Sequence, residues 1–394
     1  MDKKIALVTC YFQHNYGSQL QAYATQLIFD KWNIPNETIC IDGFQQEIKK
    51  AKYRYFLSKI FDRNVVADKM ATVRKGIAKK TKGKKFVEDL TIRDQMFDTF
   101  ASTMFNLSKK YTSKVELGLT AHDYSAFLVG SDQLWLPSNI YADYYTLNFV
   151  PDDVCKIAFS TSFGVSSLPF KQAKMATHFL KRLDYIAVRE DKGQKLVKEL
   201  IDREVPVVCD PTLMFTADEW GMHLKPERLI KEAYLFCYFL GNNPEQRDFV
   251  RRVKEQTGYR IVQLQFCDEY IKSDEGFPDY APYNVGPIEF VQLIRDAEYV
   301  FTDSFHCSVF SMLFSKKFFT FRRYNNDSVV STNSRLYSLL SLAKLSDRLL
   351  NANENISECL NSVIDYNSVH QELFNLRKFS EDWLRNCLSE KGII

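Results

Sequence analysis

Between Glu298 and Arg323 the chain runs strand, polar break, short helix, strand, and that order leaves few architectures open. Glu298 to Thr302 has the apolar, β-branched and aromatic character of a buried strand, Asp303 and Ser304 supply a polar helix start, Ser308 to Ser315 is compact and apolar, and Lys317 to Phe321 is the next strand. Two strands joined through a helix rather than a hairpin run parallel. His306 therefore falls where a parallel strand ends and a helix begins. Open α/β sheets bind ligands at that edge, because the first backbone N–H groups of the helix are unpaired and favour anions. A lone histidine there also fits a capping or core role; Asp303, Ser304, Arg322 and Arg323 beside it favour a site.

The same alternation continues through most of the chain. Ile5 to Thr9, Thr38 to Ile41, Ala126 to Val129, Lys156 to Ser160, Tyr185 to Val188 and Val205 to Cys209 have strand character, with helices beginning near Gln19, Phe170 and Asp191. In the helix from Gln19, Leu20, Tyr23, Leu27 and Ile28 share one face. A second set follows Pro211: strand Tyr234 to Leu240, helix Pro244 to Gln256, strand Arg260 to Phe266, helix Pro287 to Asp296, then the His306 segment. The organisation expected is a first α/β domain over residues 1–214 carrying a basic helical insert at about 45–115, and a second over 215–365. A final helix, Ser368 to Leu388 within 366–394, should pack back on the first domain. The 394 residues are 45% apolar, enough for more than one core.

Charge is distributed unevenly. Residues 49–85 hold fourteen Lys or Arg against Asp62 and Asp68, about +12 in a chain of net charge +3. Aromatic and aliphatic residues interleave it, as in Tyr53-Arg54-Tyr55-Phe56-Leu57. Such a stretch suits a membrane surface or another polyanion, or equally a solvated helix with a basic face. No nucleic-acid motif accompanies the charge. No apolar run approaches the roughly eighteen residues of a membrane span, and Met1-Asp2-Lys3-Lys4 leads directly into a strand, so the expected location is the cytoplasm. The nine cysteines mostly fall inside apolar runs without C-x-x-C spacing, which points to buried thiols rather than a metal site or disulfides.

Three further loops place polar residues at strand ends. His14-Asn15-Tyr16-Gly17-Ser18-Gln19 follows the first strand, with Asn15 and Gly17 suited to a tight turn and no G-x-G-x-x-G fingerprint. Gly130-Ser131-Asp132-Gln133-Leu134-Trp135 combines a carboxylate, a hydroxyl and an indole able to stack on a sugar. Val188-Arg189-Glu190-Asp191 offers a guanidinium that can hold a phosphate or carboxylate bidentately. Each alone is as well explained by a helix cap or an ion pair; together they put Asn15, Asp132 and Arg189 on one edge of one sheet.

These segments, together with Gln21-Ala22-Tyr23-Ala24, Ser162-Phe163-Gly164, Asp210-Pro211-Thr212-Leu213, Thr302-Asp303-Ser304-Phe305-His306 and Asn333-Ser334-Arg335-Leu336, resemble in order the motifs of polysaccharide pyruvyl transferases. The resemblance runs from about residue 5 to residue 350 and leaves out the basic insert and the tail. It implies an α/β fold like the GT-B glycosyltransferases, two Rossmann-like domains facing a central cleft, with the acceptor on the first domain and the donor on the second. It implies phosphoenolpyruvate as donor substrate and no cofactor or metal. The acceptor would be a sugar of a surface-polysaccharide precursor, lipid-linked, with the basic stretch near the inner face of the membrane.

Phosphoenolpyruvate carries a phosphate and a carboxylate, so its pocket needs cations and backbone donors. Forming a cyclic ketal requires proton transfer as well. The resemblance assigns donor binding to Arg189, His306 and Arg335, with Ser304 at the helix start and Arg322 or Arg323 as alternatives to Arg335. His306 is the candidate for proton transfer or for stabilising the departing phosphate, and Asp132 is the candidate base for the acceptor hydroxyl, with a purely structural role the alternative. Asn15, Tyr16, Ser131 and Trp135 are the acceptor-side candidates. Two other functions fit such a chain: a glycosyltransferase using a nucleotide sugar, and a catalytically silent glycan-binding member.

Overall fold

The computed structural model describes residues 3–58, 83–267, 270–323 and 333–394. It contains two five-stranded sheets, both wholly parallel. The first holds β1 (Lys4–Val8), β2 (Asn36–Thr38), β3 (Tyr124–Val129), β4 (Cys155–Thr161) and β5 (Tyr185–Val188) in the order β2-β1-β3-β4-β5. The second holds β6 (Tyr234–Tyr238), β7 (Arg260–Gln263), β8 (Tyr299–Thr302), β9 (Lys317–Phe321) and β10 (Leu349–Leu350) in the order β10-β9-β8-β6-β7. Counted within its own half, each sheet has the same doubly wound order. Each therefore has one switch point, between β1 and β3 and between β6 and β8, where the chain reverses its direction of winding and a crevice opens at the carboxyl ends of the strands. The strands are apolar along most of their length because helices cover both faces; β4 and β6 are buried throughout.

The two domains meet through apolar contact below the cleft. The helix Tyr16–Lys31 packs against the helices Pro287–Asp296 and Phe305–Leu313 of the second domain. The Tyr16 ring stacks on Phe290 at a centroid distance of 4.7 Å and its hydroxyl donates to the Val285 carbonyl at 3.1 Å. The last helix, Tyr366–Glu390, begins against the second domain, where Lys344 meets Glu372 at 2.6 Å. It continues onto the first: the Cys209 N–H donates to Ser380 Oγ at 2.9 Å, Arg377 donates to the Leu213 carbonyl at 2.7 Å, and Trp383 stacks on Phe159.

Several helix limits agree with the sequence pattern, among them Pro287–Asp296 and the starts at Phe170 and Asp191. Other elements differ. The second strand is Asn36–Thr38 rather than Thr38 to Ile41, because the N–H groups of Cys40 and Ile41 donate to the Ser108 and Tyr11 hydroxyls and not to a neighbouring strand. The first helix begins at Tyr16 rather than Gln19, because Asn15 caps it by accepting from the Ser18 N–H at 3.1 Å. Val205 to Cys209 is not a strand; it touches β5 through a single bridge at Val207, since Pro206 has no N–H to donate and the Cys209 N–H is spent on Ser380.

The insert is partly built into the first domain. Its helix Gly83–Met104 sends Phe97 and Phe100 into the core around Tyr16 and Tyr23. Buried Arg93 lies over the Phe97 ring and donates to the His14 carbonyl at 2.7 Å. Its helix Gln45–Leu57 packs on the helix Pro137–Ala142 beside the cleft. Most of the basic stretch, residues 59–82, lies outside the described residues. Among those described, no helix is long and apolar enough to cross a membrane.

Candidate active site

The second-domain side of the site follows from how β8 ends. Thr302 Oγ1 accepts from the Ser304 N–H at 3.0 Å, and Ser304 then caps the helix Phe305–Leu313 by accepting from the Cys307 N–H. Asp303 is taken up by the backbone: its two oxygens accept from the N–H groups of Leu240 at 2.7 Å and Gly241 at 2.8 Å, tying the end of β6 to the end of β8. Arg323 Nη2 donates to the Asp303 carbonyl at 3.2 Å. His306, in the first turn of the helix, is free to point across the cleft.

The first-domain side is a buried charge cluster. Asp132 follows β3 with φ of 77°, a left-handed conformation that aspartate tolerates better than most residues. Its Oδ2 accepts from Ser18 Oγ at 2.7 Å, and its Oδ1 lies 3.3 Å from Arg189 Nη2 and 3.8 Å from Arg335 Nη1. Arg189 donates through Nη1 to Asp210 Oδ2 at 2.6 Å. Asp210 Oδ1 also accepts from the Thr212 N–H at 3.0 Å and from Thr212 Oγ1 at 2.7 Å. Burial alone would raise Asp132, but Arg189, His306 and Arg335 outweigh it and hold the carboxyl at about 2. Asp210 is likewise buried yet held well below the ordinary carboxylate range, chiefly by His306 and Arg189. Burial, reinforced by the neighbouring Arg189, brings Arg335 down to about 10.

The two sides meet at His306. Its Nε2 is 3.4 Å from Asp210 Oδ2, an ion-pair distance without hydrogen-bond geometry. Its other edge lies against Gly17, where a Cβ would sit 2.0 Å from Nδ1. Gly17 is inside a helix with ordinary φ, so the glycine serves to admit the imidazole rather than to make a turn. Phe305, the preceding residue, faces the Arg189 guanidinium at 4.7 Å and that of Arg335 at 5.9 Å.

Around this junction opens a cleft of about 370 Å³. Asn15, Asp132, Ser304, His306, Arg323 and Arg335 all line it, so the fold gathers six of the sequence candidates on one surface. The other candidates are elsewhere. Trp135 is fully buried against Phe163 and Phe179 with its indole N–H on the Tyr145 carbonyl, so it cannot stack on a sugar. Tyr16 is a domain-interface residue at 2% exposure. Ser131 is fully buried; its hydroxyl is taken by Ser160 and Asp210 and its N–H by Gln21. Arg322 turns outward to Tyr337 and Asn351, and Arg323 takes the cleft position. Arg189 stands behind Asp132 with its side chain 1% exposed, positioning the two aspartates; it lines a second cavity of about 390 Å³ on the far side of Phe305.

Sequence reasoning gave no role to Asp210 or Ser18, and read Gly17 as a turn residue. Asp210 had one visible signal, an aspartate before proline at the end of an apolar run. Nothing local distinguishes Gly17, whose constraint comes from the other domain.

A polysaccharide pyruvyl transferase family model matches residues 15–325 of the chain. No curated protein sequence matches it. Among solved structures, it is similar to a putative UDP-N-acetylglucosamine 2-epimerase from Listeria monocytogenes, at 10% identity and TM-score 0.52 over 100% of this chain and 98% of that one. It is also similar to S. aureus MnaA in its co-structure with UDP, at 9% identity and TM-score 0.53 over 100% of this chain and 98% of that one. These likenesses show the fold, two Rossmann-like domains in the GT-B arrangement. Since the family match spans most of the chain and both flanks of the cleft, the protein belongs to the polysaccharide pyruvyl transferase family.

Proposed function

We propose that this protein moves the pyruvyl group of phosphoenolpyruvate onto two hydroxyls of one sugar in a surface-polysaccharide precursor, forming a cyclic ketal and releasing inorganic phosphate. The observation that carries this reading is the placement of His306: a second-domain imidazole reaches a first-domain carboxylate cluster on the wall of a cleft that also presents Arg335 and Arg323. The donor's phosphate and carboxylate fit the start of the helix Phe305–Leu313, with Ser304, Arg323 and Arg335 around it.

In the reaction, C3 of the enol takes a proton, a sugar oxygen bonds to C2 as its proton is lost, the bond from C2 to the phosphate oxygen breaks, and the second hydroxyl closes the ring. The products are the ketal and phosphate, and the protons balance. His306 is the group that moves protons. Asp132 is a poor acceptor near neutral pH when its carboxyl is held at about 2. Its part is to orient an incoming hydroxyl and to balance the charge of Arg189 and Arg335. No cofactor is needed for these steps. The precursor is proposed to be lipid-linked and the enzyme cytoplasmic at the inner membrane face, on the strength of the basic stretch 49–85.

Thermal unfolding with added ligands tests the donor. Phosphoenolpyruvate should raise the midpoint without added divalent metal, because binding to the folded state alone stabilises it. A rise with UDP-sugar and none with phosphoenolpyruvate would favour a nucleotide-sugar glycosyltransferase.

A further inference from the structure

The cleft has a cation that the chemistry above does not use. Lys52 and Phe56, four residues apart on the helix Gln45–Leu57 and hence on one face of it, both line the cleft. They sit with Asn15, Gln133 and Ser138 of the first domain, and Arg323, Arg335 and His306 come from the second. The other two cleft cations have carboxylates near: Arg335 Nη1 is 3.8 Å from Asp132, and Arg323 Nε is 3.8 Å from Asp303. Lys52 forms no ion pair or hydrogen bond among the described residues. Burial holds its ammonium below the ordinary lysine range. An ammonium drawn out of water with no counter-charge is costly, and a bound anion removes that cost. Tyr55, which meets Tyr141 at 5.8 Å, anchors this helix, so the position of Lys52 is set by packing.

Resting on the pyruvyl-transfer reading, we infer that Lys52 binds a phosphoryl group attached to the acceptor sugar, and that Phe56 forms the surface on which the sugar ring stacks. The donor's two anionic groups are already met by second-domain cations. Lys52 belongs to the first domain, the side left for the acceptor. A compact ammonium suits a phosphoryl group as a point charge, whereas carboxylates favour the planar fork of arginine. A cleft of about 370 Å³ is in the range that holds a drug-sized ligand, so a sugar has room beside the three-carbon donor. Phosphoryl-linked sugars come on lipid and on nucleotide carriers, and Lys52 would recognise the group common to both.

Calorimetric titration of inorganic pyrophosphate into the full-length protein saturated with phosphoenolpyruvate tests this. The parent should bind it; Lys52→Gln should weaken binding at least tenfold with donor affinity unchanged, and Lys52→Arg should recover most of it. Phe56→Ala should leave pyrophosphate binding intact and weaken glucose 1-phosphate. Equal pyrophosphate affinity in Lys52→Gln overturns the inference, and so does a loss confined to phosphoenolpyruvate, which would put Lys52 in the donor site. If the parent does not bind phosphoenolpyruvate, the pyruvyl-transfer reading fails, and the same titration without donor still decides whether Lys52 holds a phosphoryl group. Geranyl diphosphate and UDP in place of pyrophosphate then rank the lipid and nucleotide carriers.

Discussion

Asp132 and Asp303 occupy equivalent places in two sheets of identical strand order, each just beyond the central strand that flanks the switch point, yet their surroundings are opposite. Asp303 is closed off: backbone N–H groups of Leu240 and Gly241 take both oxygens, and its work is to join two strand ends. Asp132 stays on the cleft wall, held by Ser18 on one oxygen and by cations on the other. In the second domain the side chain that faces the cleft is instead three residues on, at His306. In the first, the carboxylate itself is kept in the site. The difference between the domains is thus one of charge, with an acid cluster below and an imidazole above, which we propose as the proton carrier.

If that partition holds, His306 should dominate activity. His306→Gln should lower turnover by about two to four orders of magnitude, the usual contribution of a positioned proton carrier. Its fold should survive, since the residue lies at a helix start on the cleft; an unfolded variant whose soluble remainder kept full specific activity would reduce His306 to a structural role. Gly17→Ala tests the same contact from the other domain. The added Cβ falls 2.0 Å from the imidazole, and displacing the ring should cost about a hundredfold in turnover with little change in donor affinity. Unchanged kinetics would mean that the ring works elsewhere.

The two aspartates should separate by kind of loss. Asp303→Asn removes the charge from two backbone hydrogen bonds and should lower stability by about 2 kcal/mol, measured by denaturant unfolding. Asp132→Asn should act mainly on turnover. A variant pair with the two effects exchanged would contradict the comparison. A last effect, of similar size, concerns pH. Asp132 is depressed from an ordinary value of 3.8 to about 2, so its stabilisation is complete above about pH 4 and is lost as pH falls from there through 2. That contribution is roughly 2 kcal/mol in the parent. Asp132→Asn should flatten the acid side of the stability curve, and an identical acid limb in both proteins would show that Asp132 is not charge-stabilised in the fold.

How much of this could be read from sequence follows from the same contrast. Strand ends were legible because apolar runs stop at polar residues, so the loops carrying Asn15, Asp132, Ser304 and His306 were found. Which way a loop residue faces was not legible. Ser131 and Asp132 are adjacent, and one points to the core while the other points to the cleft. Arg322 and Arg323 differ in the same way beyond β9, because successive side chains leave an extended segment on opposite faces. Trp135 drew attention as a large aromatic in a polar loop, but burying an indole is worth several kcal/mol, and the core took it. Gly17 and Asp210 needed the second domain in place before their roles appeared, since each is defined by His306. The basic stretch was legible as charge, while the place of Lys52 on the cleft emerged only from the packing of its helix.

The central claim is that a proton carrier on one domain and an acceptor site on the other together build a ketal. Mass spectrometry of lipid-linked saccharide precursors, incubated with the protein and phosphoenolpyruvate while phosphate release is followed, tests it directly. The account predicts a pyruvyl ketal on the saccharide matched one-to-one by released phosphate, and neither product with His306→Gln. Phosphate release without ketal formation, or ketal formation that persists undiminished in His306→Gln, would contradict it.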